Sequence, residues 1–198
     1  YFFIKGIGKQ LDKIEYKSEH KDIVTPSPTI EVDMDNNYLF IGTFNTNRLD
    51  FNDDYHYIKV SEDNYNTNHI LDDMTTQVYR YNPTYVFIEL GINELYVESN
   101  KEIIDGIKEN RPYAKIYVES IYPINRNDEN FDNTLIKEYI DNEMIYTVNK
   151  DIKKMVESKE VEYLDLYSLL IEDDNLIKDY TDNGVYLNER GFKVVYDE

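Results

Sequence analysis

The chain contains no cysteine, so neither a disulfide framework nor thiolate chemistry is open to it, and composition leaves its redox compartment unreadable. Its 198 residues include no apolar run near the length of about 18 that a membrane-spanning helix needs. Positive charge is scarce. Lys and Arg number 21 against 40 Asp and Glu, a net charge of −19. Such a surface repels the phosphate backbone, which argues against a nucleic-acid partner. What the chain does have is apolar and aromatic material: 41% hydrophobic residues, with 20 Tyr and 8 Phe, too rich for a disordered acidic chain. At this length folding buries roughly 70% of the surface that the unfolded chain exposes.

The sequence opens Tyr1-Phe2-Phe3-Ile4-Lys5 without a Met. Two readings of this segment stand. One is the trimmed end of a membrane anchor or signal segment running into Lys5 and Lys9; the other is an amphipathic stretch in which Phe2, Phe3, Ile4, Ile7, Leu11 and Ile14 pack on the domain. Gly6 and Gly8 weaken any helix there. Residues 18–29, with Pro26 and Pro28, read as a linker. The expected organisation is therefore an anchor-proximal segment and linker over residues 1–30, then one domain over residues 31–198. With an anchor upstream of residue 1, the domain would be displayed at a bacterial cell surface; a cytoplasmic location is the alternative.

Beyond the linker, short apolar runs alternate with helical patterns. Strands are predicted at Tyr38–Ile41, Tyr57–Val60, Tyr85–Leu90, Lys115–Glu119 and Val161–Leu164. Helices are predicted over Ile70–Tyr81, Lys101–Asn110 and Leu135–Ser158, the last with Ile136, Tyr139, Ile140, Met144, Val148 and Ile152 on one stripe. Strands alternating with helices specify a parallel sheet covered on both faces, and ligands of such folds bind at the carboxyl ends of the strands.

Those strand ends carry three ordered blocks: Leu39-Phe40-Ile41-Gly42-Thr43-Phe44-Asn45-Thr46, Leu90-Gly91-Ile92-Asn93-Glu94-Leu95, and Tyr180-Thr181-Asp182-Asn183-Gly184-Val185-Tyr186-Leu187-Asn188. In order, spacing and flanking hydrophobic pattern they resemble the SGNH (GDSL) hydrolase family, over about residues 36 to 196. The resemblance implies a flavodoxin-like three-layer α/β/α fold with a parallel five-stranded sheet. It also implies a Ser nucleophile, an oxyanion hole of backbone and Asn donors, and a C-terminal Asp/His pair.

Most of those side chains are replaced. Phe44 stands at the nucleophile position, with Thr43 where the family has Asp; Tyr186 stands at the base position and Asn183 at that of its orienting Asp. The second-block oxyanion Gly aligns with Asn64. Only Asn93 survives, which leaves a catalytically inactive hydrolase-like domain as the leading expectation. The expected cleft comprises Thr43, Phe44, Asn45, Asn64, Asn93 and Tyr186, with the rings either packed in a closed cleft or serving as a ligand platform. The expected partner is a glycan, an acylated polymer or ester, or a protein.

Two other classes compete with that expectation. An active esterase or acyltransferase with a rearranged site would draw on His69, Ser61, Thr46 or Asp182, though no spacing ties these into a triad. A purely structural module would use its acidic surface only for solubility and spacing. No cofactor is expected, and no metal. Asp50-Phe51-Asn52-Asp53-Asp54 begins like a calcium loop, but His56 replaces the turn Gly and Ser61 the closing Glu; Asn127–Asp132 is oxygen-rich without a pattern.

Overall fold

The computed structural model describes residues 37–50, 57–132, 134–159 and 161–196, so the expectations for residues 1–30 and for most of Asp50–Asp54 lie outside the described residues. Five strands form one sheet: β1 (Tyr38–Gly42), β2 (Tyr57–Ser61), β3 (Tyr85–Glu89), β4 (Lys115–Glu119) and β5 (Glu162–Leu164), in the order β2-β1-β3-β4-β5. Every pairing is parallel, as the alternation of strands and helices predicted.

Side-chain alternation along the strands divides the core in two. Leu39, Ile41, Val86, Ile88, Ile116 and Val118 face one side, where Ile103, Ile104 and Ile107 of helix α4 (Glu98–Asn110) and Ile145, Ile152 and Val156 of helix α5 (Asn142–Glu157) cover them. On the other side Phe40, Phe87 and Tyr117 stack across three adjacent strands, with centroid separations of 4.8 and 5.0 Å. Leu166 and Leu170, from the segment around helix α6 (Tyr167–Leu170), and Val195 of helix α7 (Glu189–Val195) close that side. The pattern gives three layers, α/β/α.

Two predicted helices differ from the structure. Residues 70–81 form separate short pieces: α2 (Thr67–Leu71), α3 (Met74–Gln77) and a 3₁₀ turn at Tyr79–Tyr81. The break is local chemistry, because the Asp73 side chain accepts from the Thr76 amide and starts a new helix inside the apolar period. Helix α5 begins at Asn142 rather than Leu135, since Asp141 caps it by accepting from the Met144 amide at 2.8 Å. Ile136 and Ile140 are still buried, but from turns, whereas Tyr139 and Met144 are exposed; the true stripe is Ile145, Asn149, Ile152 and Val156. A short helix α1 (Phe44–Arg48) and a hairpin of β6 (Ile171–Glu172) and β7 (Asn175–Leu176) complete the elements.

Candidate functional site

The sharp turn from β1 into α1 sets the floor of the candidate site. A Cβ at Gly42 would collide with the Thr46 side chain, so only Gly lets the chain double back this tightly. Thr43 follows, fully buried, and donates its amide (3.3 Å) and its hydroxyl (3.4 Å) to the Glu89 carboxyl at the end of β3. Thr46 donates to the same group at 3.1 Å. Phe44 points into the core at 4% exposure.

Tyr186 reaches the same place from the other end of the chain. Its loop turns at Gly184, where φ is +76° and a Cβ would strike the Asn125 carbonyl. Asn183 holds the turn by accepting from the amides of Val185 (3.1 Å) and Tyr186 (2.9 Å), and buried Asn45 ties it to α1 by accepting from the Leu187 amide (2.8 Å). The rings of Phe44 and Tyr186 then meet, with centroids 5.7 Å apart and planes inclined at 60°. Such tilted contact is an ordinary favourable aromatic geometry.

A charged cover lies over these rings. The Arg48 guanidinium sits 3.3 Å above the centre of the Tyr186 ring and donates to both Asp63 oxygens, at 2.9 and 3.3 Å, and to the Phe44 carbonyl. The Tyr186 hydroxyl donates to Asp63 at 3.2 Å, and the Asn47 amide donates at 3.1 Å. Burial alone would raise the Asp63 carboxyl, but hydrogen bonds from Arg48 and Asn47 and the Arg48 charge outweigh it and hold the carboxyl below its usual value. Burial pushes the Tyr186 phenol up, further from use as a base; the Arg48 charge opposes this and the Asp63 charge adds to it.

Asn93 stands beside this cluster, and its Nδ2 donates to the carbonyls of Tyr65 (2.6 Å) and Asp63 (3.3 Å). Its amide therefore clamps the β2–α2 loop instead of pointing into open space. Asn64, the sequence-based oxyanion position, is exposed, while its neighbours Asp63 and Tyr65 carry the contacts on the cleft side. Asn93→Ala is expected to lower stability by about 1–2 kcal/mol through the two orphaned carbonyls, read as a drop in melting temperature; an unchanged melt would refute this role.

None of the proposed substitutes forms a triad. The exposed His69 uses Nδ1 to accept from the Asn66 amide at 3.1 Å, and its ring stacks on Tyr65 at 5.3 Å. Among the described residues no hydroxyl is hydrogen-bonded to it. Thr46 serves Glu89, Asp182 lies 3.5 Å from the Asn188 amide, and the Ser61 hydroxyl is buried without a partner. Among the described residues no three His, Asp or Glu side chains are grouped to hold a metal ion.

The features that motif reading passed over are the Arg48–Asp63 cover and two buried acids. Arg48 lies four residues after Phe44, on the same face of a helix too short to announce itself. Glu89 and Glu119 each stand in an apolar run, four or fewer per cent exposed, at the ends of neighbouring strands β3 and β4. Glu119 accepts from the hydroxyls of Tyr122 (2.8 Å) and Tyr196 (3.3 Å). Burial pushes the Glu89 carboxyl up to about 7 and that of Glu119 up to about 8, the latter also feeling Glu89.

No protein-family model and no curated protein matches the sequence. Solved structures do. A candidate platelet activating factor from Streptococcus pneumonia aligns with a TM-score of 0.72 at 21% identity, over 81% of this chain and 80% of that one. A GDSL-like lipase from Bacteroides thetaiotaomicron aligns with a TM-score of 0.68 at 17% identity, over 80% of this chain and 83% of its own. The chain has the GDSL hydrolase fold. An acetylxylan esterase from Geobacillus stearothermophilus shares it at a TM-score of 0.58 and 12% identity, over 81% of this chain and 90% of that one. Within the GDSL fold the resemblance placed its nucleophile, base and Asn at Phe44, Tyr186 and Asn93, and these three positions do gather at the ends of β1 and β3 and the C-terminal loop.

Proposed function

We propose that this chain is a non-catalytic member of the GDSL hydrolase architecture, whose remaining capacity is to bind a partner rather than to cleave an ester. The observation that carries the reading is the contact of Phe44 with Tyr186 under the Arg48–Asp63 bridge. Where acyl transfer needs a nucleophile and a base, two rings fill the space and neither can attack a carbonyl. Loss of the nucleophile alone costs on the order of a millionfold in rate, or about 8 kcal/mol of transition-state stabilisation. Among the described residues no neighbouring His–hydroxyl pair supplies a substitute, and the Asn93 amide is engaged elsewhere.

The packed rings favour a closed cleft over an open aromatic platform, so a glycan, acylated polymer or protein would be met by its cover: Arg48, Asp63, Asn47 and the rim of Tyr186. The test is direct. Purified protein is expected to hydrolyse short acyl esters no faster than buffer and to resist a serine-directed fluorophosphonate. Stoichiometric labelling of any Ser would overturn the proposal and would name the replacement nucleophile.

A further inference from the structure

The β4–α5 loop, the start of α5, helix α6 and the β6–β7 hairpin border a half-open cavity of about 760 Å³, with Asp141, Glu143, Tyr146 and Asp174 on its exposed rim. It shares no residue with the Phe44–Tyr186 cluster. Its size lies within the usual range for small-molecule sites and far exceeds the room needed for one ion.

Its hydrogen-bonding groups are lopsided. Most donors around the cavity are already committed to protein. Arg126 places Nε and Nη2 on the carbonyls of Ile140 and Lys137 and rests its guanidinium over Phe131; Asn142 donates to the carbonyls of Ile124 and Asp174; the Tyr167 hydroxyl donates to the Asn142 carbonyl. The acceptors are open. The carboxylates of Glu143 and Asp174 take no hydrogen bond among the described residues, and Asp141 uses one oxygen on the Met144 amide and keeps the other. Three carboxylates stand against the Arg126 guanidinium in the lining and the Lys150 ammonium beside it, which still leaves the site net negative.

Two aromatic rings provide the apolar wall. Tyr146 and Tyr167 lie 6.1 Å apart with planes inclined at 34°. The Lys150 ammonium already sits 4.0 Å over the Tyr146 ring, so the wall is one on which an alkylammonium rests favourably. Burial and the charge of Asp174 push the Tyr167 phenol up to about 12, in keeping with a negative environment at the cavity floor. A neutral sugar, whose hydroxyls both donate and accept, would find acceptors in excess and few free donors. A chain of methylenes bearing ammonium groups matches both the rings and the carboxylates.

We propose that this cavity binds a linear aliphatic polyamine, its methylene segments against Tyr146 and Tyr167 and its ammonium groups on Asp141, Glu143 and Asp174. The site is independent of the non-catalytic reading of the cleft and stands or falls separately.

Calorimetric titration of the whole chain with spermidine tests it, with thermal melts confirming that each variant is folded. The expected result is saturable binding of one spermidine per chain that persists at physiological ionic strength. Glu143→Gln combined with Asp174→Asn should weaken it by about tenfold or more, the scale of one lost charge-assisted hydrogen bond, and Tyr146→Ala should weaken it as well. Glu102→Gln combined with Glu109→Gln removes the same charge from the exposed side of α4 and should leave affinity unchanged. Weak multi-site binding that salt abolishes, or equal losses in both double variants, would reduce the effect to counterion condensation on an acidic protein and overturn the site. So would saturable binding of a xylo-oligosaccharide with none of spermidine.

Discussion

Glu119→Gln is expected to raise the melting temperature of the protein at pH 8 and above, and to leave it nearly unchanged near pH 4. Both Glu119 and Glu89 are buried at neighbouring strand ends, and desolvation raises their carboxyls to about 8 and about 7. In the unfolded chain a Glu releases its proton near pH 4.3. Below that value both states hold the proton and the group costs nothing. As pH rises, the unfolded chain has released a proton that the native state retains, so stability falls until the native carboxyls also ionise near pH 7 and 8. The loss amounts to about 4 kcal/mol for Glu89 and about 5 kcal/mol for Glu119, since each pKa unit is worth about 1.4 kcal/mol. Gln cannot ionise, yet its carbonyl still accepts from the hydroxyls of Tyr122 and Tyr196, so the variant escapes the penalty without orphaning its partners. Melts of parent and variant across this range decide the matter. A gap that stays constant with pH would show that Glu119 is ionised or solvated in the native state.

These acids also mark where the sequence was hard to read. The five strands were legible because buried parallel strands appear as apolar runs, with Gly42 ending β1 and Gly91 following β3 by two residues. The same logic hid Glu89 and Glu119, because a single acid at the end of an apolar run reads as the point where the strand meets water. Only the structure shows Thr43 and Thr46 from the β1–α1 turn, and Tyr196 from the end of α7, converging on them. The start of α5 was misplaced for a related reason: Ile136 and Ile140 fit the helical period by spacing while sitting in turns, and the Asp141 cap carries too little pattern to outvote them. At the site, Phe44 and Tyr186 were legible through their flanking motifs. Asp63 was not, since the face that each residue of the short β2–α2 loop turns to the cleft depends on backbone detail that composition does not encode.

The second large effect concerns repair. Restoring the family's side chains with Phe44→Ser, Asn183→Asp and Tyr186→His together is expected to yield no ester turnover above a buffer blank. The first obstacle is the oxyanion hole. The Asn93 amide donates to the Tyr65 carbonyl at 2.6 Å, a bond that none of the three substitutions removes, and a missing oxyanion donor costs about a hundred- to a thousandfold in rate. The second is charge. Arg48 lies directly over position 186 and is locked to Asp63, so the imidazolium that a His base must form would develop beside a guanidinium. The carboxylate that Asn183→Asp introduces has to offset that repulsion while also taking over the turn contacts that Asn183 makes with the amides of Val185 and Tyr186. Exchanging buried Phe44 for Ser removes core packing worth about 3–5 kcal/mol, so a thermal melt must first show that the variant folds. A folded triple variant that turns over acyl esters would locate the whole lesion in the three side chains. Failure of the triple variant, followed by turnover when Arg48→Ala is added, would assign the charge above the rings the larger share in keeping the cleft closed to chemistry.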